Sequence, residues 1–237
     1  SSISIVVALA DKIDTLTNFW AIKEKPTGSK DPFALRRSAL GMIRIIIEND
    51  IRISLSDILA LGSKKADIED LKEFIYQRMK VFLREKELRH DIIDACLSID
   101  KEDDLALSVK KSSALMEFIK TSDGSNLIQG FKRANNILLQ AEKNDGVEYS
   151  FGADLKYAKE DAELNLFSVL DNEEVKIRTS LEREDFVEAM NSMANLRAPI
   201  DSFFETVQIN SDVDHIRRNR LNLLSRICKL CLSVADL

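Results

Sequence analysis

Apolar side chains return every three or four positions along most of this sequence, and few helix-breaking residues interrupt them. One such stripe near the start consists of Ile5, Val6, Leu9, Ile13, Leu16 and Trp20, and this period places apolar residues on one face of an α-helix. Only 7 of the 237 residues are glycine and 3 are proline, whereas a β-sandwich or barrel needs many more turn residues. The pattern predicts an all-α protein built of helical bundles with short connections.

The chain is longer than a typical single domain of about 100–150 residues, which favours more than one domain. The polar cluster at residues 121–125 is the clearest linker in the sequence. We predict a first helical segment over 1–62, a helical linker region over 63–122 and a second helical domain over 123–237. Because the chain opens inside a helical pattern and does not begin with Met, we expect it to be a fragment of a longer protein.

Local capping and turn residues predict where several helices begin and end. Asp31 followed by Pro32 predicts a helix start, since aspartate caps free N–H groups and proline suits the first helical position. In the second half, the apolar period predicts separate helices at about 155–170 and 172–180.

The net charge is −6, which by itself does not point to a nucleic-acid partner. The acidic excess is local, however: residues 145–188 carry five Lys or Arg against thirteen Asp or Glu, whereas residues 1–45 carry seven against four. The other stretches therefore leave room for basic patches.

The sequence favours a protein of the cytoplasm without a membrane partner. It contains no uncharged apolar run of about 18 residues and no recognisable signal peptide. Its three cysteines, Cys96, Cys228 and Cys231, are expected to be buried free thiols. The alternative is that Cys228 and Cys231, which are three positions apart, form a redox pair.

Five segments resemble one protein family. The stretches VALADKIDTL at 7–16 and KPTGSKDPFALRR at 25–37 are similar to the most distinctive motifs of the bacterial glycyl-tRNA synthetase β subunit. Further similar segments are FKRANNIL at 131–138, LRAPIDSFFE at 196–205 and RRNRL at 217–221.

The resemblance implies that residues 1–62 end an HD-like helical domain and that 123–237 form an anticodon-binding helical domain of the arginyl-tRNA synthetase type. It implies glycine tRNA as a partner, together with the α subunit in an α2β2 tetramer, and no DNA partner. The segment would bind no cofactor and be non-catalytic, while the α subunit uses ATP with Mg to attach glycine. The alternative is a helical scaffold whose main role is α-subunit association.

The arginines near the end are the first candidates for RNA contact. Arg217 and Arg220 share one helical face and Arg218 points aside. Guanidinium groups suit phosphates and base edges, and RNA is read mainly in unpaired loops. The structural alternative is that these arginines pair with Asp201, Asp212 or Asp214 and hold the bundle together.

Two further groups carry similar alternatives. Lys132, Arg133 and Asn136 form a second candidate RNA patch. Lys25 and Lys30 flank a glycine before a helix start and could hold a phosphate, although the loop could equally be a fixed turn.

A third alternative is a metal-dependent phosphohydrolase, because HD enzymes hold metal with histidines and aspartates. Asp11 lies where a final aspartate could lie, but His90 and His215 do not complete the pattern. We therefore expect no metal site, and we expect Asp11 to be a surface carboxylate or a member of a local salt bridge.

Overall fold

The computed structural model describes residues 1–86, 88–99 and 103–234, with only the backbone for His90 and residues 96–99. Within that part the regular structure is helical, apart from one isolated bridge between Thr27 and Lys30, which confirms the all-α prediction. The chain divides into two compact units, Ser1–Ser112 and Ser113–Leu237. The functional division at residues 62 and 122 stays a prediction.

In the part of the first unit that the structure describes there are five complete helices and the start of a sixth. They are α1 (Ser2–Ala21), α2 (Leu35–Glu48), α3 (Leu55–Ala60), α4 (Ile68–Glu85), α5 (His90–Ile99) and α6 (Leu105–Lys120), which continues into the second unit. Its core consists of apolar residues from the inner faces of α1, α2 and α4, including Leu16, Trp20, Met42, Ile43, Leu71 and Met79. The apolar stripe read from the sequence therefore faces a core on α1 at Leu9, Leu16 and Trp20.

The start of α2 differs from the prediction. The helix begins at Leu35 rather than at Pro32, because Ala34 adopts a left-handed conformation with φ 54°. Asp31 still caps the helix from outside: its carboxylate accepts the backbone N–H groups of Leu35 (2.8 Å) and Arg36 (3.0 Å). The capping residue was therefore identified correctly, and the first helical residue was not.

A carboxylate ties the start of α3 to the rest of the first unit. Asp103 accepts bonds from the hydroxyls of Ser54 and Ser56 and pairs with Lys72 at 2.9 Å. Burial alone would raise the pKa of Asp103, but these bonds outweigh it and lower the pKa from 3.8 to about 2. The ionised form is thus favoured by the fold.

Among the described residues of the second unit, five helices that follow α6 pack around a core of their own. After α6 come α7 (Ser122–Asp145), a 3-10 turn (Leu155–Tyr157), α8 (Asp161–Glu182), α9 (Phe186–Ala194), α10 (Arg197–Thr206) and α11 (Asp214–Leu232). Fully or almost fully buried apolar side chains from α7, α8, α10 and α11 fill the interior, including Leu127, Phe131, Leu166, Leu170, Ile200, Phe203, Leu221 and Leu224. These helices therefore position the side chains discussed below.

Two predicted interruptions differ from the structure. The predicted linker at 121–125 is only a turn at Thr121, which is the N-cap of α7 and whose hydroxyl accepts the N–H of Gly124 at 3.0 Å. The predicted break between 170 and 172 lies inside α8, where the amide of Asn172 donates to the carbonyl of Ser168. In both places, polar side chains that suggested a loop bond to helical backbone instead.

None of the described helices combines the length and the apolar character that crossing a bilayer requires.

Candidate nucleic-acid interface

Arg220 lies inside the second unit rather than on its surface. It is 5% exposed, and two of its nitrogens donate to the carboxylate oxygens of Glu163 at 3.0 and 2.9 Å while a third donates to the carbonyl of Gln208 at 2.8 Å. Such a fork-to-carboxylate pair is a strong charge-assisted interaction. The guanidinium is therefore committed to the bundle and offers no surface to RNA.

Glu163 completes this buried pair. The residue is 0% exposed and also accepts the backbone N–H groups of Lys159 and Glu160 at 2.9 and 3.0 Å. Burial acts to raise the pKa of Glu163, but Arg220 and the two N–H groups outweigh it and the pKa is lowered. One acid of the acidic stretch 145–188 thus neutralises a predicted RNA-binding arginine.

Arg217 is also paired, but it stays partly accessible. It forms an ion pair with Asp145 at 2.8 Å and donates to the hydroxyl of Tyr149 and the side chain of Asn210 at 3.2 and 3.3 Å. The pair with Asp145 raises the pKa of Arg217. Its side chain keeps 27% of its surface and borders a cavity of about 430 Å³ with Asn144, so an RNA contact there would compete with Asp145.

Arg218 is the exposed arginine of α11. Of the four arginines on this helix, Arg217, Arg220 and Arg226 are paired with acids, the last with Asp171 (2.8 Å) and Glu174 (2.7 Å). Arg218 is exposed and has no ion pair with any residue that the structure describes. The acids predicted as partners, Asp201, Asp212 and Asp214, form no described ion pair with Arg217 or Arg220. Arg217 pairs with Asp145, and Arg220 pairs with Glu163 and, at 3.9 Å, with Glu160.

The candidate patch on α7 is presented to solvent. Lys132, Arg133 and Asn136 are all exposed, and the positions 132, 133 and 136 share one side of the helix. The Arg133 guanidinium lies 4.4 Å from the ring centre of Phe204, which holds it by a cation–π contact. Phe203 and Phe204 are 0% and 9% exposed, so both rings belong to the core.

The loop with Lys25 and Lys30 belongs to the first unit and has a fixed shape. Thr27 and Lys30 exchange backbone bonds of 3.0 and 2.9 Å, and Arg36 donates to the carbonyl of Gly28 at 2.7 Å. Gly28 has φ +52°, a conformation that favours glycine. Lys25 pairs with Asp70 at 2.7 Å, whereas the Lys30 side chain is exposed. These contacts fit the fixed-turn alternative, and RNA contact stays a prediction.

The segment 146–160, which leads from α7 to α8, was not among the predicted candidates. Gly146 and Gly152 adopt positive φ angles of 65° and 87°, and between them the Phe151 ring is 95% exposed. Tyr157 packs against His215 with ring centres 5.3 Å apart. The available clue was the clustering of three of the chain's fifteen aromatic residues within positions 149–157, since exposed aromatic rings are the usual platform for unpaired bases.

The remaining candidate residues behave as structural groups. Asp11 is exposed and pairs with Lys12 at 2.7 Å, as the local salt-bridge alternative expected. Cys228 and Cys231 are buried free thiols; burial raises their pKa to about 11 and about 12, which is the opposite of a reactive redox pair. The side chains of His90 and Cys96 lie outside the described residues.

The chain is similar to known proteins along nearly all of its length. Residues 1–98 match the family described as glycyl-tRNA synthetase beta subunit, and residues 127–234 match the family described as DALR anticodon binding domain. The chain is 60% identical over 235 residues to the glycine–tRNA ligase beta subunit of Ruegeria sp. (strain TM1040), which covers 99% of this chain and 34% of that relative.

Two further relatives have the same description. The beta subunit of Paracoccus denitrificans (strain Pd 1222) is 58% identical over 234 residues, and that of Rhodospirillum centenum (strain ATCC 51521 / SW) is 46% identical over 242 residues. Each match covers 99% of this chain and 34% of the relative. The chain thus spans about a third of the length of the relatives it matches.

Proposed function

Because this chain belongs to the glycyl-tRNA synthetase beta-subunit family and carries a DALR anticodon-binding domain, we propose that its second unit binds the anticodon region of glycine tRNA. In this proposal the chain supports the attachment of glycine without performing it. A partner α subunit, in an α2β2 assembly in the cytoplasm, uses ATP with Mg for the chemistry.

One observation carries the proposal: the part that matches the anticodon-binding family presents exposed cations without acidic partners. Arg218 on α11 and Lys132 on α7 have no ion pair among the described residues, and Arg133 is held only by the Phe204 ring. Exposed cations attract the phosphate backbone and release its counterions. The acids of 145–188 do not neutralise the charges of these cations, because several of these acids form ion pairs with Arg217, Arg220 and Arg226 instead.

The test is the binding of glycine tRNA by the purified chain over a series of salt concentrations. We expect weak binding, and the logarithm of the association constant should fall linearly with the logarithm of the salt concentration. Arg133→Ala and Arg218→Ala should each weaken binding and reduce the slope by about 1. Arg183→Ala, which removes an exposed arginine at the end of α8 and on neither of the two proposed contact helices, α7 and α11, is the matched control and should change neither. Equal, salt-insensitive affinity for unrelated duplex DNA would overturn the proposal.

Aminoacylation by the assembled enzyme tests whether the contacts are made with the anticodon. Arg218→Ala is the informative variant, because removing the buried Arg220 would disturb the fold itself. We expect slower aminoacylation of the natural tRNA and no further loss on a tRNA whose anticodon is already altered. An equal loss on both tRNAs would place Arg218 away from the anticodon.

A specific surface favours the scaffold alternative as a second role. Ile3, Val6 and Val7 on α1 are 77%, 64% and 63% exposed, and their spacing places them on one side of the helix. Such a row suits contact with another protein. Gel filtration with the α subunit separates the two roles: co-elution that is lost on Val6→Asp, with tRNA binding retained, assigns this row to association. Robust co-elution without any tRNA binding would favour the scaffold alone.

A further inference from the structure

A cavity of about 430 Å³ opens in the second unit between the segment 146–160 and the first turns of α11. This volume lies within the range of roughly 300–1,000 Å³ that is usual for sites of small ligands. Its lining joins a ring pair, an exposed guanidinium, two acids and two buried amides, contributed by Tyr157, His215, Arg218, Asp154, Asp214, Asn219 and Asn222.

The two amides are deeply buried, yet their hydrogen bonds are incomplete. Asn219 is 4% exposed and Asn222 is 6% exposed. The Oδ1 atom of Asn219 accepts the backbone N–H of Asp154 at 2.7 Å, which fixes the orientation of that amide, but its Nδ2 atom has no partner. The Oδ1 atom of Asn222 is likewise unpartnered. Buried polar atoms normally have hydrogen-bond partners. Nδ2 of Asn219 lacks an acceptor and Oδ1 of Asn222 lacks a donor, and a ligand could supply both.

The charges around the cavity are mixed and do not favour a phosphate inside it. Asp154 and Asp214 lie on the lining together with Arg218. Asp154 is held by Lys156 at 2.7 Å, and the Lys156 ammonium lies 4.7 Å from the ring centre of Tyr157. A neutral planar group with hydrogen-bonding edges fits this lining better than an anion does, and the Tyr157–His215 pair gives it an aromatic wall.

We propose that this cavity receives one unpaired nucleobase of RNA. In this arrangement a ring nitrogen of the base accepts from Nδ2 of Asn219 and an exocyclic amine donates to Oδ1 of Asn222. Cytosine and adenine carry an acceptor beside an amine on the edge that pairs in duplexes, whereas uracil and guanine present a carbonyl in place of the amine. The exposed Arg218 lies where the backbone of the flipped nucleotide would pass. This inference rests on the proposed binding of tRNA.

The test uses the full chain and glycine tRNA anticodon stem-loops in which one loop nucleotide at a time is made abasic. Asn222→Ala is the main variant, because the Asn222 side chain makes no hydrogen bond within the described residues. Its matched control is Asn172→Ala, which removes an exposed amide of α8. Melting temperatures accompany each affinity.

We expect one abasic position to weaken wild-type binding about tenfold. Asn222→Ala should cause a similar loss on the intact loop and no further loss at that position, with an unchanged or raised melting temperature. Replacement of that base by uracil or guanine should cost the wild type as much as its removal. Tyr157→Leu, which removes the aromatic wall, is the second variant. It should likewise lose no further affinity when the base at that position is removed.

The outcomes separate this inference from the proposed function. Full affinity of both Asn222→Ala and Tyr157→Leu, with the wild type binding in a salt-dependent way, overturns the base cavity alone. An Asn222→Ala loss that is equal at every loop position also overturns it. Failure of the wild type to bind any stem-loop or intact tRNA overturns the proposed function itself.

Discussion

At the scale of single residues, identical side chains on one helix have opposite roles. Arg218 and Arg220 are two positions apart on α11, and the first is exposed while the second is 5% exposed and bound to Glu163. The local sequence places them on different faces of the helix but does not show that Arg220 is paired, because its partner lies 57 positions away. Burial and pairing, rather than residue type, decide which arginine can meet RNA.

This difference predicts opposite effects on stability. Arg220→Ala should lower the free energy of unfolding by about 3–5 kcal/mol, because it leaves the carboxylate of Glu163 buried without its counter-charge. Arg218→Ala should stay within about 0.5 kcal/mol of the wild type. Urea unfolding followed by circular dichroism measures both. A change in Arg220→Ala as small as that in Arg218→Ala would contradict the buried pair.

Asp103 predicts an acid-sensitive contribution. Because the fold lowers its pKa from 3.8 to about 2, its stabilisation is fully present above about pH 4 and is lost as the pH falls through about 2. Asp103→Asn should therefore reduce stability at pH 7 by about 1–2 kcal/mol, after allowance for partial exposure. The difference between variant and wild type in urea midpoint should shrink between pH 4 and pH 2. A constant difference across that range would exclude this carboxylate as the cause.

At the scale of elements, most helices could be predicted from the apolar period, and the errors have physical causes. The break expected within α8 is bridged because Leu170, Glu173 and Ile177 face the interior and hold the helix continuous. The expected linker at 121–125 is helical from Ser122. Thr121 caps this helix, and the backbone at Gly124 lies close to the carbonyl of Phe118. The exposed α7 patch was predictable from spacing, whereas the segment 146–160 depends on contacts with α11 that a local pattern cannot show.

The turn between α6 and α7 predicts an unusual response to alanine. Alanine normally stabilises a helix interior relative to glycine by about 1 kcal/mol. At Gly124 a methyl group would overlap the backbone carbonyl of Phe118, so Gly124→Ala should destabilise the protein instead. Gly41→Ala in α2 is the control, since a methyl there meets only the flexible Lys12 side chain at 3.4 Å, and it should stabilise. Thermal melts of the two variants should shift in opposite directions; parallel shifts would contradict the close approach.

At the scale of the whole molecule, the chain consists of two compact units, each with its own buried core. Units of this kind can open separately. Arg220→Ala should therefore speed amide hydrogen exchange in α8 and α11 and leave α1, α2 and α4 unchanged. Exchange followed by mass spectrometry tests this, and equal acceleration in both units would show that they unfold as one.

The overall charge of −6 is also explained at this scale. Several acids of 145–188 form ion pairs with arginines of the second unit. The net charge therefore does not show that Arg218, Lys132 and Arg133 are exposed and available to bind a polyanion. Net charge therefore describes solubility and long-range repulsion, and the unpaired cations describe where a polyanion can bind.

The two buried thiols of α11 allow the opening of the second unit to be measured by chemical labelling. Cys228 and Cys231 are 3% and 0% exposed, and their pKa values of about 11 and about 12 leave almost no thiolate at neutral pH. An alkylating reagent can reach them only when α11 leaves the core, so the labelling rate measures the population of open molecules. If RNA closes the segment 146–160 against α11, glycine tRNA should slow that labelling without touching either sulfur.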